Sequence, residues 1–412
     1  MPENHYKIAI LSIHSSPLGQ PGIGDTGGMS IYIRELTREL AKQEHMVDIY
    51  TRVQDPVTPE IIELAPNARQ IHIHAGEPAD IDKLLVYNHA PDFACKVENF
   101  RKQHDLHYDF VFSHYWISGI AGEYLQVWWR VPHMVMFHTL GAVKNAIGIG
   151  EDEPDLRLEE EKQVAAYSHH IIAATAREKA ALNLYYDVPP EKVSVIPCGV
   201  NLELFKPGDK TTARKKLGLG SGKIILFVGR VERLKGIDKL IQALPYLDDI
   251  KPRLVIVGED GNRPGEIKNL KNLAERLGLT DSITFTGLVD YEKLPDYYNA
   301  ADVFVFPSYY ESFGLAPLES LACGTPVVAT NVGDLTNIVR QGQTGYILTD
   351  NEPRQLVEKI ALVLTGKTRG AGDKLFVRSS ILRFGWQNIA YSVVEEFKKL
   401  VERKVICHQK QS

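Results

Sequence analysis

Apolar residues follow two rhythms along this chain: short unbroken runs, and longer stretches in which they recur every third or fourth position. The runs KIAILSI (7–13), VDIYTR (47–52), FVFSH (110–114), HMVMFH (133–138), HIIAAT (170–175) and VSVIP (193–197) predict strands. Helical patterns lie between them; Met29, Ile33, Leu36 and Leu40, for example, fall on one helix face. Residues 199–222 lose periodicity and gain Gly, Pro and charge, as a linker does. A second alternation follows: KIILFVG (223–229), RLVIVG (253–258), ITFTG (283–287), VFVFPS (303–308) and PVVAT (326–330), with helical patterns around Leu240, Leu273 and Leu318. Residues 386–405 form a long amphipathic helix with Ile389, Val393, Phe397 and Leu400 in register. The alternation predicts an α/β protein of two doubly wound parallel-sheet domains, 1–198 and 199–385, facing each other across a cleft. Such sheets bind ligands beyond the carboxyl ends of their strands.

Composition narrows the function. A chain of 412 residues is too long for one core, which fits the two-domain expectation. A net charge of −5 argues against a protein that coats nucleic acid or anionic lipid. Cys95, Cys198, Cys323 and Cys407 are far apart and lack zinc-type spacing, so they read as reduced thiols of a cytoplasmic protein. The first apolar run reads as a strand rather than a signal peptide, and no stretch reaches the ~18 apolar residues of a membrane span.

Candidate chemistry begins at GDTGGMSIYIREL (24–36), where two glycines abut a helix start. Gly22-Ile-Gly24-Asp-Thr-Gly27 matches G-x-G-x-x-G, but the first glycine comes about nine residues after its strand. Asp48 lies inside the second strand instead of closing it, which weakens a nicotinamide-cofactor reading. Gly27 and Gly28 before a helix N-terminus suit a phosphate, which backbone N–H groups can approach with no Cβ in the way. Arg230 and Lys235 in VGRVERLKG (228–236) sit at a strand's carboxyl end and can neutralise a diphosphate. In PSYYESFGLAPLESLACGTPVVAT (307–330), Glu311 precedes a helix beginning near Gly314 and Glu319 lies inside it. Two carboxylates around one helix start suit sugar hydroxyls, and a partly buried Glu319 needs a partner.

These segments, ESFGLAPLE and GRVERLKG, resemble retaining nucleotide-sugar glycosyltransferases of the two-Rossmann-domain (GT-B) fold, group 1 and family 4. That group includes sucrose-phosphate synthases and the bacterial inositol-phosphate glycosyltransferases of mycothiol synthesis. HSSPLGQPGIGDTGGMSIYIREL, SHYWISG, FHTLGAVKN and VSVIPCGVN look like the inositol-phosphate branch, so the resemblance covers essentially the whole chain. It implies a nucleoside diphosphate sugar donor held by the second domain. Glu319 would grip the ribose diol, and Arg230 and Lys235 would balance the diphosphate. Glu311 with the Phe313-Gly314-Leu315 backbone would hold donor-sugar hydroxyls. Gly27 and Gly28 would approach the diphosphate from the other lobe, and His138 would stand near the donor sugar. Configuration would be retained by same-face attack, with a leaving-phosphate oxygen taking the acceptor proton and no metal or cofactor required. Asp80-Ile-Asp82 resembles a metal-binding DxD but reads as solvated surface. The C-terminal helix (386–412) would cross back onto the first domain.

The same branch implies an acceptor-phosphate cup of Lys83, Tyr115, Thr139 and Arg157, hence a small phosphorylated polyol or sugar such as inositol phosphate or fructose 6-phosphate. Ser30 departs from the branch, which usually has asparagine there, and Arg157 lies in the acid-rich EDEPDLRLEEEK. A lipid or polysaccharide acceptor, and a nicotinamide-dependent oxidoreductase, are the alternative readings; a homodimer is a candidate assembly.

Overall fold

In a computed structural model the chain forms two parallel sheets, each flanked by helices on both faces. The structure describes residues 5–20, 26–149, 152–260, 265–370 and 372–409, with 403–409 described by backbone alone. The first sheet comprises β1 (Lys7–Leu11), β2 (Met46–Arg52), β3 (Ile61–Ala65), β4 (Ala68–Ile73), β5 (Phe110–His114), β6 (His133–Met136), β7 (His170–Ala173) and β8 (Val193–Val195). Their order is β3-β4-β2-β1-β5-β6-β7-β8, parallel except for the β3–β4 pair. The second comprises β9 (Ile224–Val228), β10 (Arg253–Val257), β11 (Ile283–Gly287), β12 (Val303–Phe306), β13 (Val327–Thr330) and β14 (Gly345–Leu348), in the order β11-β10-β9-β12-β13-β14.

Chain order reverses between β1 and β5 in the first sheet and between β9 and β12 in the second. Loops leave in opposite directions at such a point and open a crevice at the strands' carboxyl ends. β3, β4 and β14 were not expected. In β4, Gln70 and His72 interrupt the apolar run yet are buried, with Gln70 Nε2 2.9 Å from Ser16 Oγ and 2.8 Å from His72 Nε2. β14 is short and begins at Gly345, where a Cβ would stand 1.8 Å from the Val327 carbonyl oxygen.

The expected linker carries a helix, Lys210–Lys216, capped by the Asp209 side chain on Thr212 N–H at 2.7 Å. The chain crosses between sheets near 200 and again near 385, and the crossings pair: Val200 N–H donates to the Phe384 carbonyl at 2.8 Å. Gly199 permits this, since a Cβ there would come 2.5 Å from the Trp386 ring. Helix Trp386–Gln409 then packs on helix Gly28–Lys42 and on β5, with Phe397 fully buried and stacked on Phe110 at 4.5 Å between centroids. Among the described residues no helix is long and apolar enough to cross a membrane. Cys198 and Cys323 are buried free thiols, and Cys95 is an exposed one.

Phe397 joins the end of the chain to the first sheet, so Phe397→Ala should cost about 3–5 kcal/mol. Urea unfolding should show the loss as a lower midpoint.

Candidate active site

The first lobe presents its site residues just past its strands. Tyr115 follows β5 with φ 74°, and His138 follows β6 with φ 62°. Side chains pay strain in that left-handed region, which surrounding contacts must overcome. Tyr115 lies under the Arg157 guanidinium, 5.0 Å from ring centroid to Cζ, and against His14 at 4.4 Å between centroids. Arg157 Nη2 donates to both Thr139 Oγ1 and the Thr139 carbonyl at 3.1 Å. Lys83 opens helix Lys83–Asn88 close enough for its charge to lower the Tyr115 phenol's pKa, although burial leaves that phenol above its ordinary value. Tyr115, Thr139 and Arg157 therefore form one cluster, with Lys83 near enough for its charge to act on Tyr115.

Arg157 is more engaged than its exposed-looking sequence surroundings suggest. It is 3% exposed, with Nε 2.7 Å from Glu161 Oε1 and Nη1 2.9 Å from Glu153 Oε2. Glu161 is fixed in turn by the Gly141 N–H at 2.8 Å and by the Tyr186 hydroxyl. Burial alone would lower the guanidinium's pKa, but Tyr115, Glu161 and Glu153 hold it above its ordinary value. Sequence reasoning missed these two carboxylates, although their i±4 spacing about Arg157 was readable.

His138 Nε2 lies 2.9 Å from His114 Nδ1. His138 lines the inter-lobe cavity, yet enough protein surrounds its ring to push its pKa down to about 3. His138 is thus a neutral imidazole at physiological pH, suited to hydrogen bonding rather than to carrying charge.

In the second lobe Lys235 and Glu311 meet at the β9–β12 reversal, Nζ to Oε2 at 2.8 Å, with Lys235 also 5.7 Å from the centroid of Phe306. Gly236 makes the approach possible: its φ is 62°, and a Cβ would fall 2.2 Å from the Pro307 carbonyl. Arg230 lies on the same loop as Lys235, paired to Glu232 at 3.0 Å. Phe313 is buried; Gly314, at φ 114°, precedes helix Leu315–Ala322, with a Cβ excluded by Leu335 at 2.8 Å.

Gly28 starts its helix against the other lobe, and a Cβ on it would be 3.3 Å from Leu315 Cδ1. A Cβ on Gly27 would meet nothing within 4 Å. The two glycines therefore differ: Gly28 lets the lobes approach, and Gly27 leaves space open between them. Gly22 and Gly24 lie outside the described residues. Asp48 binds Arg69 at 2.7 Å and the Tyr108 hydroxyl, and Asp82 caps Leu84 N–H at 2.8 Å, so both have local structural roles. Ser30 is buried with its hydroxyl 2.9 Å from Ser15 Oγ.

Glu319 does not join the Lys235–Glu311 pair. It is 4% exposed and accepts the Tyr298 hydroxyl at 2.8 Å, with Tyr291 alongside. Arg34 of the first lobe covers Tyr291 at 5.1 Å, and Asn201 ties Glu35 at 2.9 Å. Burial pushes the Glu319 carboxyl up to about 7 against the two phenols, with Glu35 adding to the rise.

Between the lobes lies a cavity of about 260 Å³ lined by His138 and Thr139 from one side and Tyr310, Glu311 and Ser312 from the other. Arg177 bridges it to the Asn331 carbonyl at 2.8 Å. Sequence reasoning missed Arg177, Glu178 and Tyr310, whose neighbours across the cavity are remote in the chain.

Because the folded-state pKa of Glu319 is raised, the unfolded state loses its proton first as pH rises. Its neutral form favours the native state below about pH 4.5, and that advantage is lost toward pH 7 at about 1.4 kcal/mol for each pH step of one. Glu319→Gln should flatten the fall in stability across this window, measured by denaturant titration at several pH values; an unchanged slope would contradict the assignment.

Comparison with known proteins fits this geometry. Residues 26–204 match the model of Glycosyltransferase Family 4, and residues 209–372 that of Glycosyl transferases group 1. The chain is 38% identical over 407 residues to D-inositol 3-phosphate glycosyltransferase 2 of Catenulispora acidiphila, covering 96% of this chain and 95% of that one. It is 39% identical over 408 residues to the D-inositol 3-phosphate glycosyltransferase of Streptomyces scabiei, covering 95% and 90%. The solved sucrose-phosphate synthase of Thermosynechococcus elongatus superposes with a TM-score of 0.87 at 32% identity, over 97% of this chain and 100% of that one. Anabaena HepE in complex with UDP and glucose shares the fold, with a TM-score of 0.74 at 20% identity over 96% of this chain and 100% of that one. A lysine–glutamate pair at one switch point, a tyrosine–arginine cluster at the other, and matches along nearly the whole length agree: the chain is a GT-B-fold glycosyltransferase of group 1 and family 4, in the branch of the D-inositol 3-phosphate glycosyltransferases and sucrose-phosphate synthases.

Proposed function

We propose that this enzyme moves a hexosyl unit, with retention, from a UDP- or GDP-sugar to a hydroxyl of a small phosphorylated polyol or sugar such as inositol phosphate or fructose 6-phosphate. The lobe of residues 1–198 with residues 386–412 takes the acceptor, and residues 199–385 take the donor. One observation carries the reading: Thr139 belongs to both sites. It lines the inter-lobe cavity with Glu311 and His138, and it is held by Arg157 in the Lys83–Tyr115 cluster.

In this scheme the donor diphosphate lies between Arg230, Lys235 and the Gly27–Gly28 helix start. Fixed cations and backbone N–H groups stabilise charge on the departing phosphate as the sugar becomes oxocarbenium-like. Lys235 is already oriented by Glu311, so little reorganisation accompanies the reaction. Glu311 and the Phe313–Leu315 backbone hold sugar hydroxyls, neutral His138 hydrogen-bonds the same sugar, and Glu319 meets the ribose diol by exchanging a tyrosine partner. A leaving-phosphate oxygen takes the acceptor proton, and no step is routed through a metal or cofactor. The acceptor phosphate binds Lys83, Tyr115 and Thr139, and takes Arg157 Nη1 over from Glu153, which retains Lys144 as partner. Relatives named as D-inositol 3-phosphate glycosyltransferases support this acceptor class.

Mass spectrometry of products from UDP-glucose, UDP-N-acetylglucosamine and GDP-mannose, each incubated with inositol phosphate, fructose 6-phosphate and glycerol phosphate, tests the reading. A hexosylated phosphate product is expected; transfer only to lipid or polysaccharide would replace the proposed acceptor. Lys235→Ala should lower kcat by orders of magnitude with the fold intact, and wild-type turnover would remove Lys235 from the chemistry. Lys83→Ala should raise acceptor KM far more than donor KM, and unchanged steady-state kinetics would sink the phosphate cup.

A further inference from the structure

Arg52 closes β2 with its side chain 1% exposed, among the largest fully buried groups of the protein. A buried guanidinium is costly unless its N–H groups find acceptors. Here Nη1 donates to the Glu77 carbonyl at 2.7 Å and the Val53 carbonyl at 3.1 Å, and Nη2 to the Ala79 carbonyl at 2.6 Å. All three acceptors are backbone oxygens, and two of them belong to the loop that follows β4. Burial pulls the guanidinium's pKa below its ordinary value, with Asp80 of the same loop opposing the fall.

That loop leads directly to Lys83. It leaves β4 past Gly76, at φ 72°, where a Cβ would come 2.5 Å from the His89 ring. It ends at Asp82, whose side chain caps helix Lys83–Asn88 through the Leu84 N–H at 2.8 Å. Few apolar contacts hold the segment. Among the described residues between Ala75 and Ala90, Val86 alone is buried, while Leu84 and Leu85 are exposed. A helix this short and this thinly packed depends on other contacts for its placement. Polar ties supply them: the Tyr87 hydroxyl donates to Glu160 at 2.9 Å near the helix's end, and Arg52 grips two carbonyls ahead of its start.

We infer that Arg52 is a positioning residue for the acceptor: by holding the Glu77 and Ala79 carbonyls it fixes Lys83 at the acceptor cluster, and so sets affinity for the acceptor phosphate. The inference rests on the phosphorylated acceptor proposed above and adds the residue that orders its lysine. Being buried, Arg52 acts through Lys83 and not by touching substrate. Arg52→Met keeps the bulk of the stem and leaves both loop carbonyls without their donor. Arg52→Lys keeps the charge but loses the planar fork that spans them.

Steady-state kinetics on the full chain compare Arg52→Met, Arg52→Lys, Lys83→Ala and the two double variants. The acceptor is inositol phosphate or fructose 6-phosphate, whichever is hexosylated, and UDP and GDP binding is measured in parallel by calorimetry. Arg52→Met should raise acceptor KM roughly 10-fold, with donor KM and nucleotide binding as in wild type. Arg52→Lys should raise it less. In the Lys83→Ala background either substitution should add almost nothing, because the lysine it positions is gone. Additive losses, acceptor and donor KM rising together, or a wild-type acceptor KM in folded Arg52→Met would each overturn the inference and leave the phosphate cup intact. An unchanged acceptor KM in Lys83→Ala alone would remove the cup, and the inference with it. If Arg52→Met fails to fold, the Arg52→Lys cycle decides by the same criteria.

Discussion

Two sheet edges must meet here without filling the space between them, and that constraint organises the molecule. Parallel strands release all their useful loops at one edge, so a site pooled from two such sheets requires those edges to face each other. Side chains then compete with the substrate for room. Gly28 yields space to Leu315 of the opposite lobe, Gly27 leaves its surroundings open, and Gly236 lets Lys235 reach Glu311 past the Pro307 carbonyl. Each absent side chain defines a surface that a ligand or a neighbouring lobe can approach.

The charges along this cleft fall into two groups. Lys235 with Glu311 and Arg157 with Glu153 and Glu161 are paired, so their orientation is fixed before any substrate arrives. Among the described residues Glu178 and Glu319 have no cationic partner in hydrogen-bonding contact, only N–H or hydroxyl donors, and burial pushes both up to about 7. Preset ion pairs are suited to stabilising transferred charge; near-neutral carboxyls suit hydroxyls, to which they can donate or accept. The neutral His114–His138 pair belongs with the second group.

The lobes are joined by a shared apolar cluster and by polar contacts. Arg177 to Asn331 lies at the cavity, Gln20 to Asp290, Asn201 to Glu35 and Arg34 over Tyr291 lie elsewhere along the interface, and the paired crossings at Val200 and Gly385 tie the lobes together. The 386–409 helix buries Phe397 under β5, which makes the second crossing part of the first lobe's core.

The sequence by itself determined the alternation of strands and helices, the two-sheet architecture, and the glutamate and basic motifs, because each is a local pattern of periodicity or spacing. β4 escaped since its buried Gln70 and His72 look like solvent-facing residues until Ser16 arrives to partner them. The short helix at 210–216 escaped because seven residues give too few turns to show a period, and its Lys210 and Arg214, which pair with Asp302, read as solvated charges. Only tertiary structure decided that Glu319 lies beneath two tyrosines rather than beside Glu311, that Arg157 reaches Thr139 and the Tyr115 ring, and that Arg177 meets Asn331 of the other lobe. The reason is physical: burial and hydrogen-bond satisfaction depend on neighbours from other elements, and no local pattern encodes which of them the fold will bring within about 3 Å.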